Sequence, residues 1–246
     1  MHTEHMNPAG ETPTSLNQKK VVFNFDGTIA DTRNSIISTF EETFRRLELP
    51  YPGEDAIAAT IGIPLHISFQ VAADMSAAES DAATEVYREV FKDRELADVH
   101  LFDGMRTVLD ELSRRGMPLA IASSRSRPSL SRLIDYLGLT HHFSVVAGRE
   151  DAAREKPYPD LLLGVARALG IEPRHLLVVG DTTFDIEMAH NAGALSCAVR
   201  YGNHSAESLA RVNPTVTIDA PAQLLQLLAP ADVDGRPADD SVRSRP

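Results

Sequence analysis

The chain has 246 residues and carries 24 lysines and arginines against 35 aspartates and glutamates, a formal net charge of −11. That acidic balance argues against a nucleic-acid partner, because phosphate backbones attract cationic surfaces. With 43% apolar residues a sizeable core can form, no run of about 18 apolar residues is present to span a membrane, and the one cysteine, Cys197, excludes an internal disulfide and a cysteine-based zinc cluster. The first residues lack an apolar signal core, so a cytoplasmic globular protein is expected.

In chain order, residues 1–18 are polar, include Pro8 and Pro13, and read as a loose tail. An apolar β-type run follows at Val21–Phe25. From Thr32 to Asp98 no strand pattern appears. Ile36, Phe40 and Phe44 sit four apart, with Ile37 and Leu47 widening the stripe, and Ser80–Ala97 is a second helical region. Pro50, Pro52, Gly53, Gly62 and Pro64 punctuate the space between them. Residues 32–98 therefore read as an inserted helical cap, and residues 19–31 with 99–229 as the core.

Beyond the cap, short apolar runs alternate with helical patterns. The runs are Leu119–Ala122, Ser144–Ala147, Leu176–Val179, Leu195–Val199 and Thr215–Ile218. Being apolar throughout, they suit strands buried on both faces of a parallel sheet. Met105, Val108, Leu109 and Leu112 mark a helix stopped near Gly116. Leu161–Leu169 is a second helix closed by Gly170, and Phe184–Asn191 a third ending at Gly193. The alternation predicts an α/β, doubly wound, Rossmann-like parallel sheet. Residues 230–246 are rich in proline and charge and read as a second loose tail.

The polar residues that interrupt this pattern fall at strand ends, where open α/β sheets bind ligands. Asn24 and Asp26 close the first run, followed by Gly27 and Thr28. Asp181 and Asp185 follow Gly180 after the run Leu176–Val179. N-capping of a helix accounts for one of these aspartates. It does not account for two clusters of one design converging on one sheet edge. Carboxylates so placed repel unless a cation lies among them, and Mg²⁺ suits an all-oxygen set shared with a phosphate. Ser123 and Ser124 end another strand and offer hydroxyl and N–H groups to phosphate oxygens. Lys156, before Pro157, is placed to neutralise phosphate charge.

On these residues the chain resembles the haloacid dehalogenase superfamily, phosphatase branch, with a helical cap of the first type (C1) and closest to the phosphoglycolate-phosphatase-like group. The resemblance covers about residues 20–228. It rests on Asn24-Phe25-Asp26-Gly27-Thr28, Ser123, Lys156, and Gly180, Asp181 and Asp185, in that order. It implies a Mg²⁺-dependent hydrolase of a small phosphorylated metabolite that works through an aspartyl-phosphate. The family pattern makes Asp26 the general acid and base, with Ser123, Ser124, Lys156, Gly27 and Thr28 around the phosphate. Asn24, Asp26, Asp181 and Asp185 would surround the metal.

One departure stands out: the family's nucleophile is an aspartate, and here the position is Asn24. An amide is neutral and a poor nucleophile, so turnover is expected to fail or be greatly reduced. Asn24 is expected to offer its side-chain oxygen to Mg²⁺ as a weaker ligand, and phosphate binding to survive or tighten. Two alternatives stay open: a non-catalytic phospho-ligand-binding protein, and a sugar-phosphate mutase scaffold. His66 in the cap, and Arg127 and Arg149 near strand ends, are further candidates for substrate contact, and Cys197 reads as a buried strand residue. The pattern leaves monomer and homodimer equally open.

Overall fold

A computed structural model describes residues 13–229 except 95 and 97. Both the outer part of the first tail, residues 1–12, and the second tail, 230–246, lie outside the described residues. Among the described residues, six parallel strands form the main sheet: β1 (Lys20–Phe23), β4 (Leu119–Ala122), β5 (Phe143–Ala147), β6 (Leu176–Gly180), β7 (Leu195–Val199) and β8 (Val216–Ile218). Their spatial order is β5-β4-β1-β6-β7-β8. The first strand of the chain is thus central, with Val21 beside Leu119 on one side and Leu177 on the other.

Alternation along each strand sends side chains to two separate cores. Val21 and Phe23 join Leu119, Ile121, Leu177 and Val179 on one face. That face is covered by α5 (Met105–Arg114), α6 (Arg127–Tyr136) and α10 (Ala222–Leu227). Val22, Ala120, Ala122 and Val178 point to the other face, beneath α7 (Asp160–Leu169) and α8 (Thr183–Asn191). Helices on both faces explain why these strands are apolar throughout. α9 (Ala206–Arg211) lies between β7 and β8 in the chain, and its Leu209 packs on Ile186 and Ala198.

Before the cap the chain forms β2 (Ala30–Asp31), and after it β3 (His100–Leu101). These two short strands pair antiparallel, Ala30 with Leu101 and Asp31 with His100. Between them lie α1 (Arg33–Arg46), α2 (Glu54–Ala58), α3 (Leu65–Ala73) and α4 (Ala77–Arg94). Phe40, Phe44, Ile57, Phe69 and Tyr87 form their common core. Phe40 lies 4.8 Å from both Phe69 and Tyr87, ring centre to ring centre, in tilted packing.

Three expectations need revision. The run at Val21–Phe25 ends as a strand at Phe23, because the chain turns back at Gly27, whose N–H donates to Ala30 O while the N–H groups of Thr28, Ile29 and Ala30 donate to Phe25 O. The segment 13–18, expected in the first tail, forms a 3₁₀ turn at Pro13–Gln18, where Leu16 is buried among Val21, Leu112 and Leu228. The helix read at Ser80–Ala97 begins three residues earlier and ends at Arg94. No helix among the described residues is long and apolar enough to cross a membrane.

Candidate active site

The sheet order brings the carboxyl ends of β4, β1 and β6 side by side, and the chemistry-bearing residues collect there. Asn24 extends the ladder by donating its main-chain N–H to Val179 O at 2.8 Å, and Ser123 does the same to Ala147 O at 3.0 Å. Gly27 follows with a φ of 72°, where a Cβ would lie 2.0 Å from the Asp181 carboxylate. Only glycine allows this turn to pass so close to that side chain.

Asp181 is fully buried and accepts from four donors among the described residues. Thr28 Oγ1 at 2.9 Å and Asn24 Nδ2 at 3.1 Å reach Oδ1. The Asn203 main-chain N–H at 2.9 Å and its Nδ2 at 2.8 Å reach Oδ2. Burial pushes the Asp181 carboxyl up to about 6, with the charge of Asp185 adding to it and the hydrogen bonds from Asn203, Thr28 and Asn24 opposing.

Asp185 is held differently. Thr182, not an aspartate, is the N-cap of α8. Asp185 completes a capping box by accepting from the Thr182 N–H at 3.1 Å and its hydroxyl at 2.7 Å. Its other oxygen receives Lys156 Nζ at 2.6 Å. Lys156 also donates to Ala122 O at 2.8 Å and Asn24 Oδ1 at 3.3 Å, so one buried ammonium ties the ends of β4 and β1 to the first turn of α8.

Asp26 faces a third partner that the sequence reading did not single out. Arg125, two residues beyond Ser123, grips the Asp26 carboxylate with both arms of its fork, Nε to Oδ2 at 3.0 Å and Nη2 to Oδ1. Thr32 Oγ1 adds a bond at 2.7 Å. Burial would raise this carboxyl, but the charge and hydrogen bonds of Arg125, with Thr32, hold it below the usual range. Arg125 also donates to Ser129 Oγ at 3.0 Å and lies over the Phe91 ring of the cap at 5.0 Å. It thereby joins cap to core at the site.

A cavity of about 450 Å³ opens between cap and sheet edge. Its floor holds Asn24, Asp26, Ser123, Ser124, Lys156 and Asp185; its roof includes Ile36, Phe40, Ile63, Leu65, Tyr87 and Phe91. Arg149 lines it, whereas Arg127 pairs with Asp151 and His66 stays off the wall. Gly27 and Thr28, expected around the phosphate, also lie off the wall. The Gly27 N–H and Thr28 N–H close the turn, and the Thr28 hydroxyl serves Asp181. Of the two serines, Ser123 has its N–H committed to the sheet and its hydroxyl accepting from the Arg125 N–H at 3.1 Å. Asn203 and Thr182 were also missed. Asn203 lies 22 residues beyond Asp181, and its role needs the fold to bring it there.

The atoms that the Asn24 amide nitrogen meets are oxygens, the kind a Mg²⁺ ion takes. Asp26 O and Asp181 Oδ1 converge on one point, and a cation there would be held by these two and by an oxygen from position 24. In this chain the point is met by the amide nitrogen of Asn24, which donates to Asp26 O at 2.9 Å and to Asp181. The expected orientation, with the amide oxygen toward a metal, is reversed. That oxygen faces the Lys156 ammonium, and turning it away would set NH₂ against NH₃⁺.

Comparison with known proteins agrees with this architecture. The haloacid dehalogenase-like hydrolase family matches residues 21–199. A protein of Dickeya dadantii described as "probable phosphatase IndB" is 34% identical over 203 residues, covering 81% of this chain and 88% of that one. The phosphoglycolate phosphatase of Escherichia coli is 29% identical over 233 residues, covering 85% of this chain and 91% of its own. The solved structure of a haloacid dehalogenase-like family hydrolase from Streptococcus pneumoniae superposes with a TM-score of 0.78 at 26% identity, covering 85% of this chain and 98% of that one. A parallel sheet with this strand order, strand-end carboxylates and a helical roof, matched over most of their length by phosphatases, makes the chain a member of the haloacid dehalogenase-like hydrolase family, phosphoglycolate-phosphatase-like in kind.

Proposed function

We propose that the cavity binds a small phosphomonoester with its phosphoryl group toward Asn24, and that hydrolysis stops at the first chemical step because position 24 is an amide. The observation that carries this is the hydrogen bonding of Asn24 itself: its nitrogen donates to carboxylate and carbonyl, its oxygen accepts from Lys156, and no anionic oxygen faces the cavity from this position.

The other residues keep roles suited to phosphoryl transfer. Lys156 and the Ser123 hydroxyl lie beside Asn24 and would hold phosphoryl oxygens. Asp26 has a carboxylate within the cavity wall and would take or return the proton of the leaving alcohol. To do so it must loosen from Arg125, whose fork could pass to the incoming phosphate. An aspartate at position 24 would attack phosphorus directly. Mg²⁺, when bound in such a form, would neutralise charge between that carboxylate and the phosphoryl group.

The test is phosphate release from 2-phosphoglycolate, sugar phosphates, nucleoside monophosphates and an aryl phosphate, with and without Mg²⁺. The protein and Asn24→Asp are run side by side. A nucleophile can contribute on the order of 10⁶ in rate, so release is expected from the aspartate form with Mg²⁺ and close to background from the native chain. Equal turnover by both would refute the assignment of position 24. A folded Asn24→Asp protein that hydrolyses none of the panel would refute the phosphatase scaffold.

A further inference from the structure

The Asn24 amide does more than disable a nucleophile. Its nitrogen stands at the point where Asp26 O and Asp181 Oδ1 converge, 2.9 and 3.1 Å away. A carboxylate has about four lone-pair sites. Asp181 has four donors on it, two on each oxygen. Its hydrogen-bonding capacity is therefore filled by the chain. Asp185 is likewise engaged on both oxygens, by Lys156 on one and by Thr182 on the other.

Access points the same way. Asp181 is fully buried and does not line the cavity, whereas Asn24 does. A cation entering from the cavity would have to displace the amide to reach Asp181. The amide would lose two acceptors and turn its NH₂ toward Lys156. With aspartate at position 24 the balance reverses. A third carboxylate would then face Asp181 at close range, and a cation between them would relieve the repulsion.

The cavity is already suited to an anion. Arg88, Lys92, Arg125, Arg132, Arg149 and Lys156 line it, against the carboxylates of Asp26 and Asp185. Arg88 is paired with Glu85 and Arg149 with Glu150, so part of this positive charge is already met by glutamates beyond the wall. Arg125 is paired with Asp26 and Lys156 with Asp185, so the floor is near neutral before any ligand arrives.

We infer that the Asn24 amide nitrogen takes the place of a divalent cation, so that this chain binds a phosphate monoester dianion without a metal. The inference rests on the phosphate-pocket reading above and adds to it the metal-free state of the binding site.

Calorimetry with inorganic phosphate tests it on the protein as it stands, once after exhaustive chelation and once with excess Mg²⁺. Phosphate is expected to bind in both conditions with affinities within about threefold, a difference below 1 kcal/mol. Mg²⁺ titrated alone is expected to give no binding isotherm with this protein. Asn24→Asp, its fold checked by circular dichroism, is expected to bind Mg²⁺ alone and to lose at least about tenfold in phosphate affinity on chelation, 1.4 kcal/mol or more. If the native protein binds phosphate only with Mg²⁺, the inference fails and the pocket survives. If neither protein binds phosphate in either condition, both fail together. The native pair of titrations decides the question even if the variant does not fold.

Discussion

The floor and the roof of the cavity are built on opposite principles. On the floor and just beneath it nearly every polar atom has a directional partner: Lys156 donates three hydrogen bonds, Asp26 is held by Arg125 and Thr32, and Asp181, buried below, accepts four. The roof is made of side chains such as Ile63, Leu65 and Phe91, and its own core is an aromatic cluster around Phe69. Directional networks tolerate little displacement, because an unmade bond leaves a buried charge or dipole. Apolar packing tolerates exchange of one shape for another if volume is kept. On the proposed reading the floor would serve the phosphoryl group, shared by any phosphomonoester, and the roof would meet the part of the ligand that varies.

The sharpest way to break the contrast is on the floor. Lys156→Met keeps an unbranched side chain, one atom shorter, and strands the Asp185 carboxylate. It is expected to lower stability by about 3–5 kcal/mol at neutral pH, read as a shift in the urea midpoint. A loss under about 1 kcal/mol would mean the network is not what holds the strand ends. In the roof, Phe69→Ala empties the cap core and is expected to cost about 3–4 kcal/mol. Hydrogen exchange should then show lost protection in α1, α3 and α4 while β1 and β6 stay protected. Uniform loss across the chain would show cap and core to unfold as one unit.

Smaller effects sharpen the boundary. Ser205 caps α9 by accepting from the Ser208 N–H, outside both regions. Ser205→Ala is expected to cost about 1 kcal/mol in thermal unfolding and to leave phosphate binding unchanged. Cys197, fully buried on β7, has its thiol pushed up from 9.0 to about 12 by burial. Raised in the folded state, that pKa contributes stability below pH 9 that is lost as pH climbs toward 12. A maleimide at pH 8 is expected to label Cys197 only on unfolding, and rapid labelling of the native protein would place β7 outside the stable core.

Much of the floor was legible from the chain because it depends on local pattern. An apolar run followed by a polar residue marks a buried strand end, and a parallel sheet gathers such ends on one edge. Asn24, Asp26, Ser123, Asp181 and Asp185 could be named in this way, whereas Lys156, beyond the end of β5 at Ala147, was marked by the Pro157 that follows it. Arg125 could not: its partner Asp26 is 99 residues away, and its neighbours Arg127 and Arg149 looked equally suitable. Gly27 and Thr28, which the family pattern puts around the phosphate, lie off the cavity wall because their N–H groups close the turn and the Thr28 hydroxyl turns to Asp181. The direction of the Asn24 amide was hidden as well, since it follows from acceptors on two strands. In the cap, α2 and α3 are short and lie among prolines and glycines that read as loop. α6 went unseen because Ser126 and Pro128 suggest a turn before Leu130, Leu133 and Ile134 reveal an apolar face.

The two-strand neck formed by β2 and β3 has a consequence for how such a protein can change. Asp31 and His100 are cross-strand partners, so the chain leaves the core and returns to it at a single point. Everything between is, for the sheet, one closed loop. The entropy of closing a loop rises by only about 0.6 kcal/mol for each doubling of its length, so the sheet is nearly indifferent to how many residues the loop contains. A lineage can lengthen, shorten or replace the whole lid without disturbing the register of β1 against β4 and β6. New ligand preferences can thus be acquired by trading one insertion for another, while the sheet edge that carries Asn24, Asp26 and Ser123 is inherited intact.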